Sequence, residues 1–179
     1  MKFGILSFDV ANNHSITSVI EHAVKVEEAG LTRFWLGEHY GATMWANPEP
    51  LIPIILGMTE RINVGAAGIL MNLHSPYRVA CSFKLMNALF PGRVDLGIAK
   101  GSSNEEFITL MHAIQSGVPN NTQKKVEDLF SFFHNEDEYF KQGITIPPYK
   151  YPAPILWMLG LSYSGLRDTL KYNCNFSRS

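Results

Sequence analysis

Short apolar runs alternate with longer amphipathic segments along this chain, and the pattern repeats roughly every 30 residues. The apolar runs include KFGILSF, INVGAAGIL and VDLGIA, which are typical of strands buried on both faces. The predicted strands span residues 2–8, 33–36, 62–70, 94–99 and 155–159, and a sixth begins within 173–176. Apolar residues at helical spacing predict helices at 16–29, 48–58, 76–90, 105–116, 121–134 and 165–171.

Capping residues mark the ends of several predicted helices. Asn47 and Ser75 are suitable N-caps, and prolines occupy the first turns that follow them. Gly30 suits the C-terminal cap of the first helix. Residues 137–154 are rich in Tyr, Pro and Gly, which predicts an irregular excursion or a short hairpin.

Strands that alternate with helices predict a parallel sheet with right-handed crossovers, so the fold class is α/β. Two architectures fit this pattern, the open doubly wound sheet and the (β/α)8 barrel. The first strand-to-helix turn has no G-x-G-x-x-G sequence, which weakens the dinucleotide-binding version of the open sheet.

Composition limits the classes of function. The 179 residues are 46% hydrophobic and 17% charged, enough to bury the core of one domain. A formal net charge of -1 gives no attraction to nucleic acid or to an anionic membrane. The sequence shows no secretory signal and no apolar stretch of bilayer length, so we expect a cytoplasmic protein.

Cys81 and Cys174 are far apart and no residues have metal-ligand spacing, which predicts reduced thiols and no metal site.

Polar residues follow the predicted strands at five places. In both candidate architectures the working groups lie just beyond the carboxyl ends of the strands. The five places are Ser7 with Asp9, residues 38–40, residues 67–74, residues 100–104 and residues 161–164. Their positions predict a single functional edge of the sheet.

Glu38, His39 and Tyr40 directly follow the second predicted strand. An imidazole exchanges protons near neutral pH, so His39 is the leading candidate for acid–base chemistry. Glu38 could orient it or form a salt bridge elsewhere. The alternative is that Glu38 and His39 are ordinary polar loop residues after a strand.

Residues 100–103, Lys-Gly-Ser-Ser, combine a positive charge with loop amides and a following helix N-terminus. These features are typical of an anion site. Ser162 and Ser164, after the next strand, add hydroxyl donors that could hold the same phosphate. The alternative is that all of these are loop and cap residues and that Lys100 is solvated.

Other residues near the predicted edge have simpler explanations. Five of them could line a pocket, although core packing is the default explanation for each: Met44, Trp45, Leu70, Met71 and Leu73. His74 is close to the edge but stands just before a helix cap. Four histidines are predicted to lie in loops or on helix surfaces: His14, His22, His112 and His134.

Three stretches of the chain resemble one known family. They are AGLTRFWLGEHYG, RINVGAAGILMNLHSPYRVA and LFPGRVDLGIAKGSSN, and they are similar to the bacterial luciferase-like flavin monooxygenases. The resemblance covers residues 1–176 and is dense between 30 and 104. It implies a (β/α)8 TIM barrel that uses reduced FMN or the deazaflavin F420.

The resemblance also implies roles for individual residues. Glu38-His39-Tyr40 matches the E-H-[HY] motif of the family, in which the histidine assists the reaction as a catalytic base. The resemblance implies that these three residues are the catalytic set, in which the acid, the imidazole and the phenol supply proton transfer and shape where flavin and substrate meet. The motif looks closer to FMN-using members than to the F420 group. A reactive cysteine of some luciferases is matched by Ala99, so thiol chemistry is not expected there. The residues that match the family's flavin-binding positions are Ala67 and Gly68 at the ring, and Lys100, Gly101, Ser162 and Ser164 at the phosphate.

A complete barrel of this type has eight strands and about 250 residues, whereas this sequence predicts five to six βα units. We therefore expect residues 1–179 to form one barrel domain that is truncated at its C-terminal side. An open half-barrel would leave an uncovered interior and unpaired edge strands, unless further residues or a second chain cover them.

The expected function is that of an oxidoreductase, a monooxygenase that uses reduced FMN from a separate reductase, together with O2. Its substrate would be a small aldehyde, thioether or amine, and the protein would form a homodimer or heterodimer. The alternative is a non-catalytic flavin-binding or partner subunit, and a third possibility is a truncated product with no role of its own.

Overall fold

The computed structural model describes residues 3–8, 15–40, 43–101, 105–112, 121–160 and 163–178. Strands and helices alternate over these residues. The strands are β1 (Gly4–Ser7), β2 (Arg33–Leu36), β3 (Asn63–Leu70), β4 (Val94–Ala99), β5 (Ile155–Gly160) and β6 (Asn175–Arg178). The helices are α1 (Ser18–Glu28), α2 (Leu51–Met58), α3 (Pro76–Leu89), α4 (Glu105–His112), α5 (Thr122–His134), α6 (Glu136–Lys141) and α7 (Tyr163–Tyr172).

The six strands form one parallel sheet in the order β1-β2-β3-β4-β5-β6. Because each strand pairs with the next one along the chain, the sheet has none of the order reversal that defines a doubly wound fold. The sheet therefore curls as a half-barrel, which confirms the predicted incomplete (β/α)8 class. Within the described residues, every helix is too short or too polar to cross a bilayer.

Alternate residues of the strands build the core between the sheet and its helices. Phe34 and Leu36 of β2 are fully buried, and the Phe34 ring packs edge-on against His22 of α1 at a centroid distance of 5.4 Å. Leu96 and Ile98 of β4 are buried in the same cluster. Side chains alternate between the faces of a strand, so these residues point outward to the helices.

The concave face of the sheet holds a buried acid surrounded by donors. Asp95 of β4 is 0% exposed, and its Oδ2 atom accepts hydrogen bonds from Arg33 Nε at 2.9 Å and Trp35 Nε1 at 2.7 Å. Its Oδ1 atom accepts a hydrogen bond from Trp157 Nε1 at 3.2 Å. Burial raises the pKa of Asp95, and these donors and the Arg33 charge oppose that rise. This cluster links β2, β4 and β5 across the inside of the half-barrel.

The segment predicted as an excursion or hairpin at 137–154 is an excursion that begins with α6. It is anchored to α3 by Lys84, which is 2% exposed, forms an ion pair with Glu136 and donates a hydrogen bond to the Ile146 carbonyl at 2.9 Å. Asn87 donates to the carbonyl of Pro152 at 3.1 Å. A buried ammonium group needs such partners, so these contacts fix the path of the excursion.

Several predicted bounds differ from the structure. Helix α2 begins at Leu51 and not at residue 48, because Asn47 Oδ1 accepts a hydrogen bond from the Glu49 amide and caps a turn before the helix. Helix α7 begins at Tyr163, two residues earlier than predicted. Residues 113–116, predicted to be helical, lie outside the described residues. The sixth predicted strand is present as β6.

The turn between α2 and β3 is held by Glu27 of α1. Its carboxylate accepts hydrogen bonds from the backbone amides of Arg61 at 2.7 Å, Ile62 at 2.8 Å and Glu60 at 3.1 Å. Partial burial alone would raise the pKa of Glu27, but the three amide hydrogen bonds outweigh it, so the pKa is lowered. The charged form of Glu27 therefore stabilises the entry into β3.

We expect Glu27→Gln to lower the free energy of unfolding by about 1–2 kcal/mol at pH 7, because an amide accepts fewer and weaker hydrogen bonds than a carboxylate. The contribution of Glu27 is fully present above its unfolded-state pKa and is lost as the pH falls through the lowered folded-state pKa. Denaturant unfolding at pH 7 and at successively lower pH checks this. The control is Glu28→Gln, an exposed neighbour on α1; equal losses in both variants would contradict the assignment.

Candidate active site

The segments that follow the strands contact one another along the carboxyl edge of the sheet. Glu38, just after β2, accepts a hydrogen bond at Oε2 from the Leu70 amide at the end of β3, at 2.7 Å. Leu70 pairs with Ala99 at the end of β4. Lys100 then forms an ion pair with Asp168 of α7, with Nζ 3.0 Å from Oδ2. The structure thus brings the predicted site residues after β2, β3 and β4 onto one continuous rim.

Glu38 is the most heavily bonded side chain of this rim. It is 4% exposed, and its Oε1 atom accepts hydrogen bonds from Tyr40 Oη at 2.7 Å and from His74 Nε2 at 2.6 Å. Together with the Leu70 amide, three donors face one carboxylate. These three hydrogen bonds satisfy a carboxylate that is cut off from water, and His74 Nε2 is assigned as the donor because a carboxylate oxygen accepts. Sequence reasoning gave His74 no role.

His39 lies between two anchored neighbours and is itself exposed. Its backbone amide donates to the Ala46 carbonyl at 3.3 Å, and its carbonyl accepts a hydrogen bond from Thr43 Oγ1 at 3.1 Å. The backbone is therefore fixed while the imidazole remains accessible. A solvent-accessible imidazole with a fixed backbone at the rim is placed to contact a bound molecule.

Tyr40 is half-buried, and its ring packs against Phe107 of α4 at a centroid distance of 5.5 Å. Burial raises the pKa of Tyr40 well above its ordinary value, and the hydrogen bond to Glu38 adds to that rise. The phenol is therefore neutral at physiological pH and acts as a hydrogen-bond donor. Its predicted catalytic role stays a prediction.

Ala67 and Gly68 lie within β3 and not after it. The pairing of β3 with β4 shifts by one residue between Ala66 and Ile69, so these two residues form a bulge. A Cβ atom on Gly68 would lie 3.0 Å from the Gly97 carbonyl oxygen, which shows how closely the two backbones approach. The bulge presents backbone and small side chains, and the predicted contact with a flavin ring stays a prediction.

The predicted anion site is described in part. Gly101 has φ +75°, and the Lys100 side chain is 44% exposed beside Asp168. Ser164 lies in the first turn of α7 and not in a loop as predicted, because that helix begins earlier. Ser162 and residues 102–104 lie outside the described residues. Asp168 was missed from the sequence, because its contact with Lys100 depends on where α7 begins.

Three of the possible pocket-wall residues are core residues. Trp45, Met71 and Leu73 are buried, and the Trp45 indole donates a hydrogen bond to the Gly37 carbonyl at 3.0 Å. Met44 and Leu70 are half-buried. Core packing therefore explains Trp45 and Met71, which belong to the main core cluster, whereas Leu73 also lines a cavity beside His74.

The remaining histidines and cysteines form no further site in the described part of the chain. His22 and His134 are exposed on α1 and α5, as predicted, and His14 lies outside the described residues. Cys81 and Cys174 are free thiols. Within the described residues, no group of three or more His, Cys, Asp or Glu side chains could hold a metal ion.

Comparison with known proteins identifies the family. The family model described as luciferase-like monooxygenase matches residues 1–124, well over half of the 179 residues. The chain belongs to the luciferase-like monooxygenase family. Among its relatives is the N-acetyl-S-alkylcysteine monooxygenase of Bacillus subtilis, which is 27% identical over 176 residues. That alignment covers 93% of this chain and 53% of the relative.

Solved structures of luciferase-like proteins share the fold. Apo-MsnO8 has a TM-score of 0.83 and 28% identity, with 99% of this chain and 54% of that chain covered. The oxygenating constituent of 3,6-diketocamphane monooxygenase from Pseudomonas putida, solved with FMN, has a TM-score of 0.77 at 20% identity. That match covers 99% of this chain and 57% of the Pseudomonas putida protein. This chain spans about half the length of the curated relatives that it matches.

The structural neighbours bind two kinds of cofactor. The Pseudomonas putida protein is in complex with FMN. An F420-dependent secondary alcohol dehydrogenase was solved in complex with an F420-acetone adduct. Its TM-score is 0.71 at 17% identity, and the match covers 99% of this chain and 58% of that protein. These likenesses show the shared barrel and a flavin or deazaflavin in those proteins.

We expect Gly101→Ala to lower the free energy of unfolding by about 1–2 kcal/mol, since a side chain is strained at φ +75°. The new Cβ atom would also lie 2.3 Å from Asn72 Oδ1. The control is Gly57→Ala on the exposed side of α2, where no atom lies within 4 Å and alanine should stabilise by about 0.5–1 kcal/mol. Thermal and denaturant unfolding measure both, and a neutral Gly101→Ala would contradict the prediction.

Proposed function

We propose that this chain forms the cofactor-binding part of a monooxygenase that oxidises a small organic substrate with reduced FMN and O2. The observation that carries the proposal is the arrangement of side chains on the rim after β2. There an exposed His39 stands between two side chains fixed by hydrogen bonds, in a chain of the luciferase-like family. A positioned imidazole that reaches solvent is what proton transfer to a bound substrate requires.

The residues of the rim fit a flavin mononucleotide. Lys100 would supply a cation for the phosphate, and Gly101, which has φ +75°, would add its amide, with Ser162 and Ser164 as further proposed donors. In this proposal the flavin ring packs against the backbone of the bulge at Ala67 and Gly68. Reduced FMN, when bound, supplies the electrons that activate O2.

The chain's own groups bind, orient and move protons. His39 would accept a proton from the substrate or return one to the product near neutral pH. Glu38 and Tyr40 keep that rim ordered, since their hydrogen bonds hold the residues on either side of His39 and the phenol stays protonated. The aldehyde, thioether or amine substrate would bind over the same rim.

We also propose the wider setting of this activity. The E-H-Y form of residues 38–40 favours FMN over F420, and a separate flavin reductase would supply the reduced cofactor. We place the protein in the cytoplasm, as a homodimer or heterodimer, with residues 1–179 forming one barrel domain.

A second candidate function is that of a non-catalytic flavin-binding or partner subunit. The concave face favours it, because β1 and β6 form the two edges of the sheet over the described residues. Phe3, just before β1, and Leu6, within β1, are both exposed. A groove of about 500 Å³ runs between β1, β2, β5 and β6. A partner chain that covers this face would complete the barrel. Steady-state assays with FMN, a reductase and test substrates separate the two functions.

We expect His39→Ala to lower turnover about 100-fold or more, because acid–base catalysis by a positioned side chain contributes at least that much. Flavin affinity should stay nearly unchanged, since His39 is not among the phosphate-binding residues. Steady-state turnover and flavin fluorescence titration measure the two quantities. His134→Ala, at an exposed position on α5, is the matched control. Unchanged turnover in His39→Ala would exclude the proposed role.

Lys100→Met should weaken FMN binding about tenfold, because it removes a charge-assisted contact with the phosphate. Riboflavin, which has no phosphate, should bind both proteins equally. Lys141→Met is the control, since Lys141 pairs with Glu138 on the exposed surface of α6. If Lys100→Met binds FMN as tightly as the unmodified protein, the phosphate lies elsewhere.

A further inference from the structure

We propose that His74 and Glu38 are positioning residues that hold the backbone of His39 in place through one shared carboxylate. The inference rests on the proposed function, because it assigns the catalytic proton transfer to His39. It gives a role to His74, which lies 36 residues after Glu38 in the sequence and is not part of the motif at residues 38–40.

The three donors to Glu38 come from three different segments of the chain. Tyr40 belongs to the segment after β2, the Leu70 amide ends β3, and His74 lies in the turn before α3. All three donate to Glu38. One carboxylate therefore ties the ends of two strands to the start of a helix, and removal of any donor leaves part of a buried charge without a partner.

His39 lies between Glu38 and Tyr40, whose side chains are joined by a hydrogen bond. The hydrogen bond from Tyr40 Oη to Glu38 Oε1 closes a ring of covalent and hydrogen bonds that includes the backbone of His39. The His39 amide is held on the other side by the Ala46 carbonyl. The conformation of His39 is thus set by Glu38 and Tyr40, and Glu38 in turn is set by His74.

His74 lies at the border between the rim and a cavity. Its side chain is 14% exposed and borders a cavity of about 580 Å³ that Glu49 and Arg78 also line. Glu49 acts on His74 electrostatically, and burial raises the pKa of Glu49. The charged groups that line this cavity with His74 are Glu49, Arg78 and Lys125. Among the described residues, Glu38 is the charged group in hydrogen-bond contact with the imidazole, at 2.6 Å.

The test compares His74→Phe with His74→Gln. Phenylalanine fills the space of the imidazole but has no donor, whereas the glutamine Nε2 atom can replace the imidazole Nε2–H. We expect His74→Phe to lower kcat about 10- to 100-fold, as a misplaced catalytic group does, while the Kd for FMN changes less than about twofold. His74→Gln should restore most of the turnover. A purely structural role would lower kcat and flavin affinity together, which would overturn the proposal.

Amide hydrogen exchange gives a second readout that needs no turnover. In the unmodified protein the amides of His39 and Leu70 should exchange slowly. Both should exchange faster in His74→Phe and should be protected again in His74→Gln. Equal protection of the His39 amide in all three proteins would overturn the proposal.

The two readouts separate this proposal from the proposed function. If the unmodified protein shows no turnover with any substrate, the monooxygenase assignment fails, and exchange at His39 and Leu70 alone decides whether His74 positions them. If His74→Phe does not fold, Tyr40→Phe removes another donor to Glu38 and is judged by the same exchange and kinetic results. Loss of protection at His39 then supports the proposal, and unchanged protection overturns it.

Discussion

The half-barrel depends on how a carboxylate is accommodated on the inside of its sheet. Asp95 has no contact with solvent, so its charge must be balanced within the protein. Arg33 and Trp35 approach it from β2 and Trp157 approaches from β5, and the guanidinium of Arg33 lies 4.9 Å from the centre of the Trp157 ring. These contacts can form only when three strands are curled toward one another in one register, so the acid specifies curvature as well as pairing.

The same arrangement recurs at the carboxyl edge of the sheet. Glu38 is also buried and also collects donors from neighbouring elements, but there the donors are a phenol, a backbone amide and an imidazole. Asp95 ties strands at the inside of the sheet, whereas Glu38 ties the segments that leave the strands. Between them, the two acids hold β2, β3, β4 and β5 in the geometry that places His39 at an accessible rim.

The sequence predicted local structure well and long-range contacts poorly, for physical reasons. The bounds of β2 and β4 were predicted correctly because short apolar runs between turn residues mark buried strands. The links from Glu38 to His74 and from Lys100 to Asp168 join distant segments, so they follow from strand register and helix bounds. An acid in the apolar run of β4 was a signal that Asp95 needs buried partners, but the spacing could not tell which residues supply them.

The sequential order of the strands has a consequence for how the protein is made. Among the described strands, each one from β2 to β6 pairs with the strand that precedes it in the chain, so it meets a partner that has already been synthesised. As the chain leaves the ribosome, each new βα unit meets a sheet edge that is already formed. Each new strand therefore has to pair only with the strand made just before it, which keeps the entropy cost of closing the intervening loop small. The half-barrel can grow from its amino end at the pace of translation.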